Sequence, residues 1–226
     1  MNGGNPQPTT LNPAAHSSVN AVSTGNFALL GADLCRVTKD MSYCDRSYDS
    51  AQWLELHMKA SDGYLVDNIN GKDCHVTDWK FTCTQIVPCP ARSRLIADNQ
   101  ALYIALNAQL GYLTHNSTST ELAAVAIKKA LAPNAPWNNA QGIIKEGKGD
   151  VSESNDVIGF KSILIRYLQK SVPWIQDAEL ATAITEYVNI QYYALSQLDS
   201  DDMTHPRKFG RNWEGPFTVS TDHAQL

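Results

Sequence analysis

Apolar residues recur at helical spacing through most of the chain. Val19, Val22, Phe27, Leu30, Leu34 and Val37 lie three to five positions apart, after Ser17 or Ser18 as a helix cap. They predict a first helix over 18–38. After a turn at Lys39-Asp40, a second helix is expected from about Ser42 to Lys59, with Tyr48, Ala51, Trp53, Leu54 and Met58 on its core face. So short a link makes the pair an antiparallel hairpin.

The layout then returns. Leu30-Gly31-Ala32-Asp33-Leu34 is echoed by Leu106-Asn107-Ala108-Gln109-Leu110, and Thr38-Lys39-Asp40 by Thr114-His115-Asn116, an offset of 76 residues. The segment after the first hairpin, Ser61 to Asp67, is matched by Ala140 to Glu146 after the second. Each has a glycine, an apolar pair and then an acid. A third hairpin is predicted over 155–169 and 177–197, with Phe160, Ile163, Leu164, Tyr167 and Leu168 on its first helix, followed by the glycine-bearing segment Phe209 to Pro216. Helical hairpins that cannot bury their apolar faces singly must stack, as an open solenoid or a closed toroid. A repeat of about 76 residues, with long connectors rich in glycine, aromatics and acids, favours an all-α toroid whose connectors gather at one polar rim. Residues 1–16 read as a loop. Phe217 to Leu226 reads as the start of another helix, so both ends have the look of truncation.

Composition narrows the function classes. The 226 residues are 43% hydrophobic and 18% charged, which suits a folded soluble domain. A net charge of −5 disfavours a nucleic-acid partner. No run reaches the roughly 18 apolar residues of a membrane span, and the first 30 residues hold no secretory leader. Five cysteines (Cys35, Cys44, Cys74, Cys83, Cys89) fit no zinc spacing, and the six histidines are scattered, so no metal or cofactor is expected. The cysteines, together with the glycosylation sequon Asn116-Ser117-Thr118, point to a secreted protein whose leader is missing from this sequence. There is no G-x-S-x-G nucleophile turn. Asp201-Asp202 is the adjacent acidic pair that invites a catalytic reading, but it sits in a polar run after a helix, where acids are normally solvated.

Four segments, taken in order, carry a family resemblance: Ser23-Thr24-Gly25-Asn26-Phe27-Ala28-Leu29-Leu30-Gly31-Ala32; Gly142-Ile143-Ile144 followed by Glu146; Asp156 with Phe160 to Leu168; and Asn212-Trp213-Glu214-Gly215-Pro216. Together they resemble glycoside hydrolase family 76, the fungal and bacterial endo-α-1,6-mannanases, which include cell-wall proteins that process mannan-bearing anchors. The resemblance runs from about residue 2 to the C-terminus, as a single domain. It implies an (α/α)6 toroid of which this chain holds half to two thirds, with α-mannan as substrate and secretion to the cell wall. It further implies retaining hydrolysis, or transfer, by an adjacent Asp-Asp pair of the family motif, expected upstream of Met1. Retention needs two carboxyl groups roughly 5 Å apart, one ionised and one protonated.

Carried onto matching positions, the family motif makes Asn26, Gln85, Asp156, Lys161 and Trp213 substrate-binding candidates. Asn26 would bond a sugar hydroxyl, and Trp213, like Trp79, would stack on a pyranose ring. Asp156 and Lys161 read also as a helix cap and a solvated lysine, and an Asp at a helix start, where it bonds free backbone N–H groups, favours the cap. Ile86 to Gln100 has no counterpart and reads as an inserted loop or a retained intron, with Cys89 as the unpaired cysteine. Asn99-Gln100 repeats the helix-start motif of Gln85, which leaves the family position open between them. Two further readings stand beside the enzyme: a non-catalytic carbohydrate-binding remnant without the aspartate pair, and a helical-repeat interaction scaffold, which the polar aromatic connectors disfavour.

Overall fold

The computed structural model describes residues 18–70, 97–145, 159–201 and 208–218. Within them six α-helices form three hairpins: α1 (Ala21–Thr38) with α2 (Met41–His57), α3 (Ala97–Thr114) with α4 (Ser117–Leu131), and α5 (Phe160–Ser171) with α6 (Ala178–Tyr193). Helices α1, α3 and α5 pack side by side as an inner layer, while α2 and α4 back the first two hairpins and α6 packs on α4. The result is the pairing of inner and outer helices expected of a helical toroid.

Short polar residues start four of the helices. Asn20, Asp40, Asn116 and Asp177 each cap a first turn, accepting from Ser23, Ser42, Ser119 and Leu180 backbone N–H groups respectively. The 76-residue repeat reaches backbone geometry: Lys39 and His115, which occupy equivalent positions, are both left-handed, with φ of 63° and 53°. A left-handed residue ends one helix and turns the chain into the next cap.

Three expectations change. The first helix starts at Ala21, because Ser18–Asn20 is a strand, β1, paired antiparallel with β2 (Asn68–Asn70) in the register Ser18 to Asn70. Most of the apolar residues that the spacing placed on the core face of α1 do not lie there, although Leu29, between them, is buried. Phe27, Leu30 and Val37 are 51%, 59% and 66% exposed, while Ala21, Thr24, Gly25, Ala28, Ala32 and Cys35 are buried. Close helix approach selects that small-residue face, since a Cβ on Gly25 would lie 3.2 Å from Leu102 Cβ. Finally, Ala97 to Gln100, read as the end of an inserted stretch, form the buried first turn of α3. Residues 86–96, like residues 1–16 and 155–158, lie outside the described residues.

Helix α3 is buried from Ala97 to Gly111 and forms the centre of the core, with Leu102, Ile104, Leu106 and Leu110 almost fully enclosed. On α2, Ala51, Leu54 and the capping Met58 are buried, with Tyr48 and Trp53 half-buried. Cys35 and Cys44 form a disulfide across the first hairpin. The equivalent pair in the second is Gly111 and Thr120, where a Cβ on Gly111 would meet Thr120 N at 2.9 Å. Cys74, Cys83 and Cys89 lie outside the described residues. No helix among these residues is long and apolar enough to cross a membrane.

Candidate functional site

The segments that leave the outer helices meet at one end of the helical layers. After α2, Lys59 and Leu65 form an antiparallel bridge around Gly63; after α4, Asn138 and Ile144 do the same around Gly142. Both glycines have positive φ, 83° and 77°, which a side chain would strain. This is the connector repeat seen in the sequence, built as one turn twice.

Contacts join the connectors laterally. The Tyr64 ring meets Trp137 edge to face at 5.4 Å, and the Tyr64 hydroxyl donates to Lys129 O. Asn139 Nδ2 donates to Glu214 Oε1 at 2.7 Å, tying the second connector to the last one. Tyr187 donates to Asn138 Oδ1 at 2.6 Å, and burial pushes its hydroxyl well above the ordinary tyrosine range. Gln191 accepts from Ile144 N and donates to Gly142 O, as Gln100 Oε1 accepts from Leu65 N.

At this rim lies a carboxylate surrounded by amides. Asp67 Oδ1 accepts from Asn20 Nδ2 at 3.2 Å and Asn99 Nδ2 at 3.1 Å, and its Oδ2 accepts from Asn68 Nδ2 at 2.6 Å. Ser18 Oγ donates to Asn68 Oδ1 at 2.8 Å, and Asn99 N donates to Asp98 Oδ1 at 2.7 Å. Three elements converge here: the end of β1, the start of β2 and the N-terminus of α3. Asn99 Oδ1 is buried and has no hydrogen-bond partner among the described residues. Oriented amides and a fixed carboxylate form a surface that can bond polyhydroxylated ligands.

The predicted site residues distribute unevenly. Lys161 is 1% exposed, donates from Nζ to Arg211 O, and lies 5.0 Å from the Trp213 ring centroid. It is therefore not the solvated lysine of the alternative reading. Trp213 is 9% exposed, and the ammonium occupies one face of its ring. Beside them Asp199 is fully buried, and Gly210 is confined: a Cβ there would lie 1.8 Å from Asp199 Oδ1. Asn26 is exposed on α1. Gln85, Asp156 and Trp79 lie outside the described residues, whereas the second copy of the helix-start motif, Asn99-Gln100, is at the rim. Asn116 caps α4 at the opposite end, about 26 Å along α3 from Asn99. Asp201 of β3 (Ser200–Asp201) pairs with Lys208 of β4 (Lys208–Phe209), and Asp202 is not described.

Asn20, Asp67, Asn68 and Asp98 were not singled out as site residues. The signal for Asp67 was the acid that ends each connector repeat; Asn20 was masked by the apolar pattern that ran through it. Between the inner helices, Asp33 of α1, about a third exposed, accepts from Gln109 of α3 at 3.1 Å and Lys170 of α5 at 2.9 Å. Burial raises the Asp33 carboxyl, but the Lys170 hydrogen bond, helped by Gln109, Lys170 charge and Arg36, holds it below the usual range. No cluster of metal-ligating side chains occurs among the described residues.

The family model for glycosyl hydrolase family 76 matches residues 2–224. No curated protein matches the chain. Among solved structures, the GH76A α-1,6-mannanase of Salegentibacter sp. HEL1_6 superposes with a TM-score of 0.72 at 20% identity, over 90% of this chain and 54% of that one. An inactive variant of that enzyme with two aspartates replaced by asparagine, in complex with α-1,6-mannotriose, gives 0.69 at 20% identity, covering 88% and 53%. Dfg5 from Chaetomium thermophilum, in complex with glucosamine, gives 0.67 at 17% identity, covering 92% and 47%. The chain thus spans about half the length of these solved relatives, and shares the fold of (α/α) toroids.

Proposed function

Because the chain belongs to glycosyl hydrolase family 76, we propose that it forms the glycan-binding wall of a glycosidase that cleaves, or transfers, α-1,6-linked mannan. The observation that carries this reading is the family match across residues 2–224, joined to a rim of amides around Asp67 at the connector end. In this reading Asn20, Asn99 and Asp67 bond sugar hydroxyls. A mannose chain offers many such hydroxyls and little charge, which suits amides and one hydrogen-bonded carboxylate better than a cationic cleft.

Retaining cleavage needs one carboxylate to attack the anomeric carbon and a second carboxyl to protonate the leaving oxygen, about 5 Å apart. Asp67 is held by three side-chain amides, an arrangement that suits an ionised, acceptor-only group rather than a proton donor. It is assigned to binding, and the reacting pair in this reading lies outside the described residues. The disulfide Cys35–Cys44 supports secretion or a cell-wall location, since such bonds persist in oxidising compartments.

The test measures binding and cleavage of α-1,6-mannotriose by the folded chain, with β-1,4-mannotriose as control. Binding restricted to the α-1,6 trisaccharide, weakened at least tenfold in Asn99→Ala, is the expected result. Binding without any product would favour the non-catalytic carbohydrate-binding reading. Equal affinity in wild type and Asn99→Ala would remove the rim from the site.

A further inference from the structure

We propose that Asn116 carries an N-linked glycan whose first sugar seats in the groove between α2 and α4. The proposal rests on the secreted reading above but not on any activity toward mannan. Asn116-Ser117-Thr118 is the only Asn-x-Ser/Thr sequence in the chain, and it sits at the α3–α4 turn with His115, Ser117, Thr118 and Thr120 exposed around it.

The cap uses only half of the Asn116 amide. Its Oδ1 accepts from Ser119 N at 3.0 Å, and its backbone oxygen accepts from Thr120 N and Thr120 Oγ1 at 3.1 Å. Its Nδ2 makes no hydrogen bond among the described residues. The repeat explains why: the equivalent position is Asp40, which caps α2 through Oδ1 on Ser42 N at 2.9 Å and has no nitrogen to offer. Capping thus requires an acceptor oxygen alone, and the amide nitrogen of Asn116 is surplus to folding. Glycosylation uses that nitrogen.

The groove begins at the same turn. Thr118, the third residue of the sequon, lines it together with Ser119, Leu122, Tyr48, Leu56 and Gln52, around a volume of about 170 Å3. That is below the roughly 300 Å3 at which pockets for free drug-sized ligands begin. A tethered ring loses less freedom on docking than a free one, so a small groove suffices for it. Its walls fit an N-acetylhexosamine: Leu56, which is 76% exposed, and Leu122 offer apolar surface to the acetamido methyl and the ring, while Gln52 and Glu55 offer polar atoms to its hydroxyls. The attached chain would point away from the connector rim, which lies about 26 Å along α3. Cys35–Cys44, at the equivalent turn of the first hairpin, is the bond expected of a chain that passes through an oxidising, glycosylating compartment.

The experiment fuses the full chain to a cleavable secretory leader and translates it in the presence of microsomes, where the acceptor is presented whether or not the final fold is reached. Expected is one glycan-sized mass shift, reversed by peptide N-glycosidase F with conversion of Asn116 to aspartate, and absent from Asn116→Asp and Thr118→Ala. Asn116→Asp keeps the capping oxygen, so its helical content should match wild type. Hydrogen exchange of secreted protein then reads the groove: with the glycan trimmed to its first N-acetylhexosamine, amides over 48–56 and 117–122 stay protected, and full removal raises their exchange several-fold. An unshifted wild-type chain overturns the proposal, as does equal exchange before and after removal of that last sugar.

Discussion

Opening the Cys35–Cys44 disulfide should cost this fold a calculable part of its stability. The two cysteines are nine positions apart, and the bond removes that loop's closure entropy from the unfolded chain. For a loop of this size the chain-entropy relation gives about 2.6 kcal/mol at 25 °C. Both sulfurs are enclosed, Cys35 3% and Cys44 0% exposed, so the replacements should be alanine: a serine hydroxyl would be buried between α1 and α2. Domains of 150 to 250 residues lose roughly 2–4 °C of Tm per kcal/mol, so Cys35→Ala/Cys44→Ala should melt about 5–10 °C below wild type. Circular dichroism melts with and without a phosphine reductant are the assay. Reductant should lower the wild-type Tm by about this amount more than it lowers that of the double variant. A reductant-insensitive wild type, or a variant that melts with it, would refute the closure reasoning.

Three other outcomes follow from the structure. Gln191→Leu should destabilise by about 2–4 kcal/mol, because it leaves Ile144 N–H and Gly142 C=O buried without their partner; loss of Ile144 amide protection in hydrogen exchange identifies the cause. The seam Phe27, Leu30, Leu34 and Val37, with three of its four residues more than half exposed, should make the chain self-associate; Leu30→Glu should lower the apparent mass in light scattering, and an unchanged mass would exclude the seam. Asp33 is held below its usual range, so its stabilising contribution is full above the unfolded value near 3.9 and is lost as pH falls through the lower folded value. Lys170→Met should therefore lose less than about 1 kcal/mol at pH 6, since the pair is a third exposed, and the gap to wild type should close below about pH 4 in urea titrations.

Much of the architecture was legible along the chain because its causes are local. Helix starts were within a few residues, since Asp40, Asn116 and Asp177 cap their own turns through bonds two or three residues away. The repeat was legible because equivalent residues do equivalent work: the left-handed Lys39 and His115, and the turn glycines Gly63 and Gly142. The order of the family segments needed no contact at all.

Which side of a helix meets the core was decided by tertiary packing. Periodicity on α1 favoured Phe27, Leu30, Leu34 and Val37, yet close approach to α2 and α3 selected a face of alanines, Gly25 and Cys35 with Leu29 as its one large apolar residue, because backbones that nearly touch leave little room for large side chains. The rim depended on tertiary structure in the same way. Asp67 meets Asn20 across 47 positions and Asn99 across 32, bonds that no local pattern encodes. Lys161, read as solvated or sugar-binding, is enclosed by Trp213 and Arg211, about 50 positions on. Local chemistry along the chain therefore determined where the elements begin and how they repeat, whereas the partners of each polar group were determined by which distant segments the fold packs together.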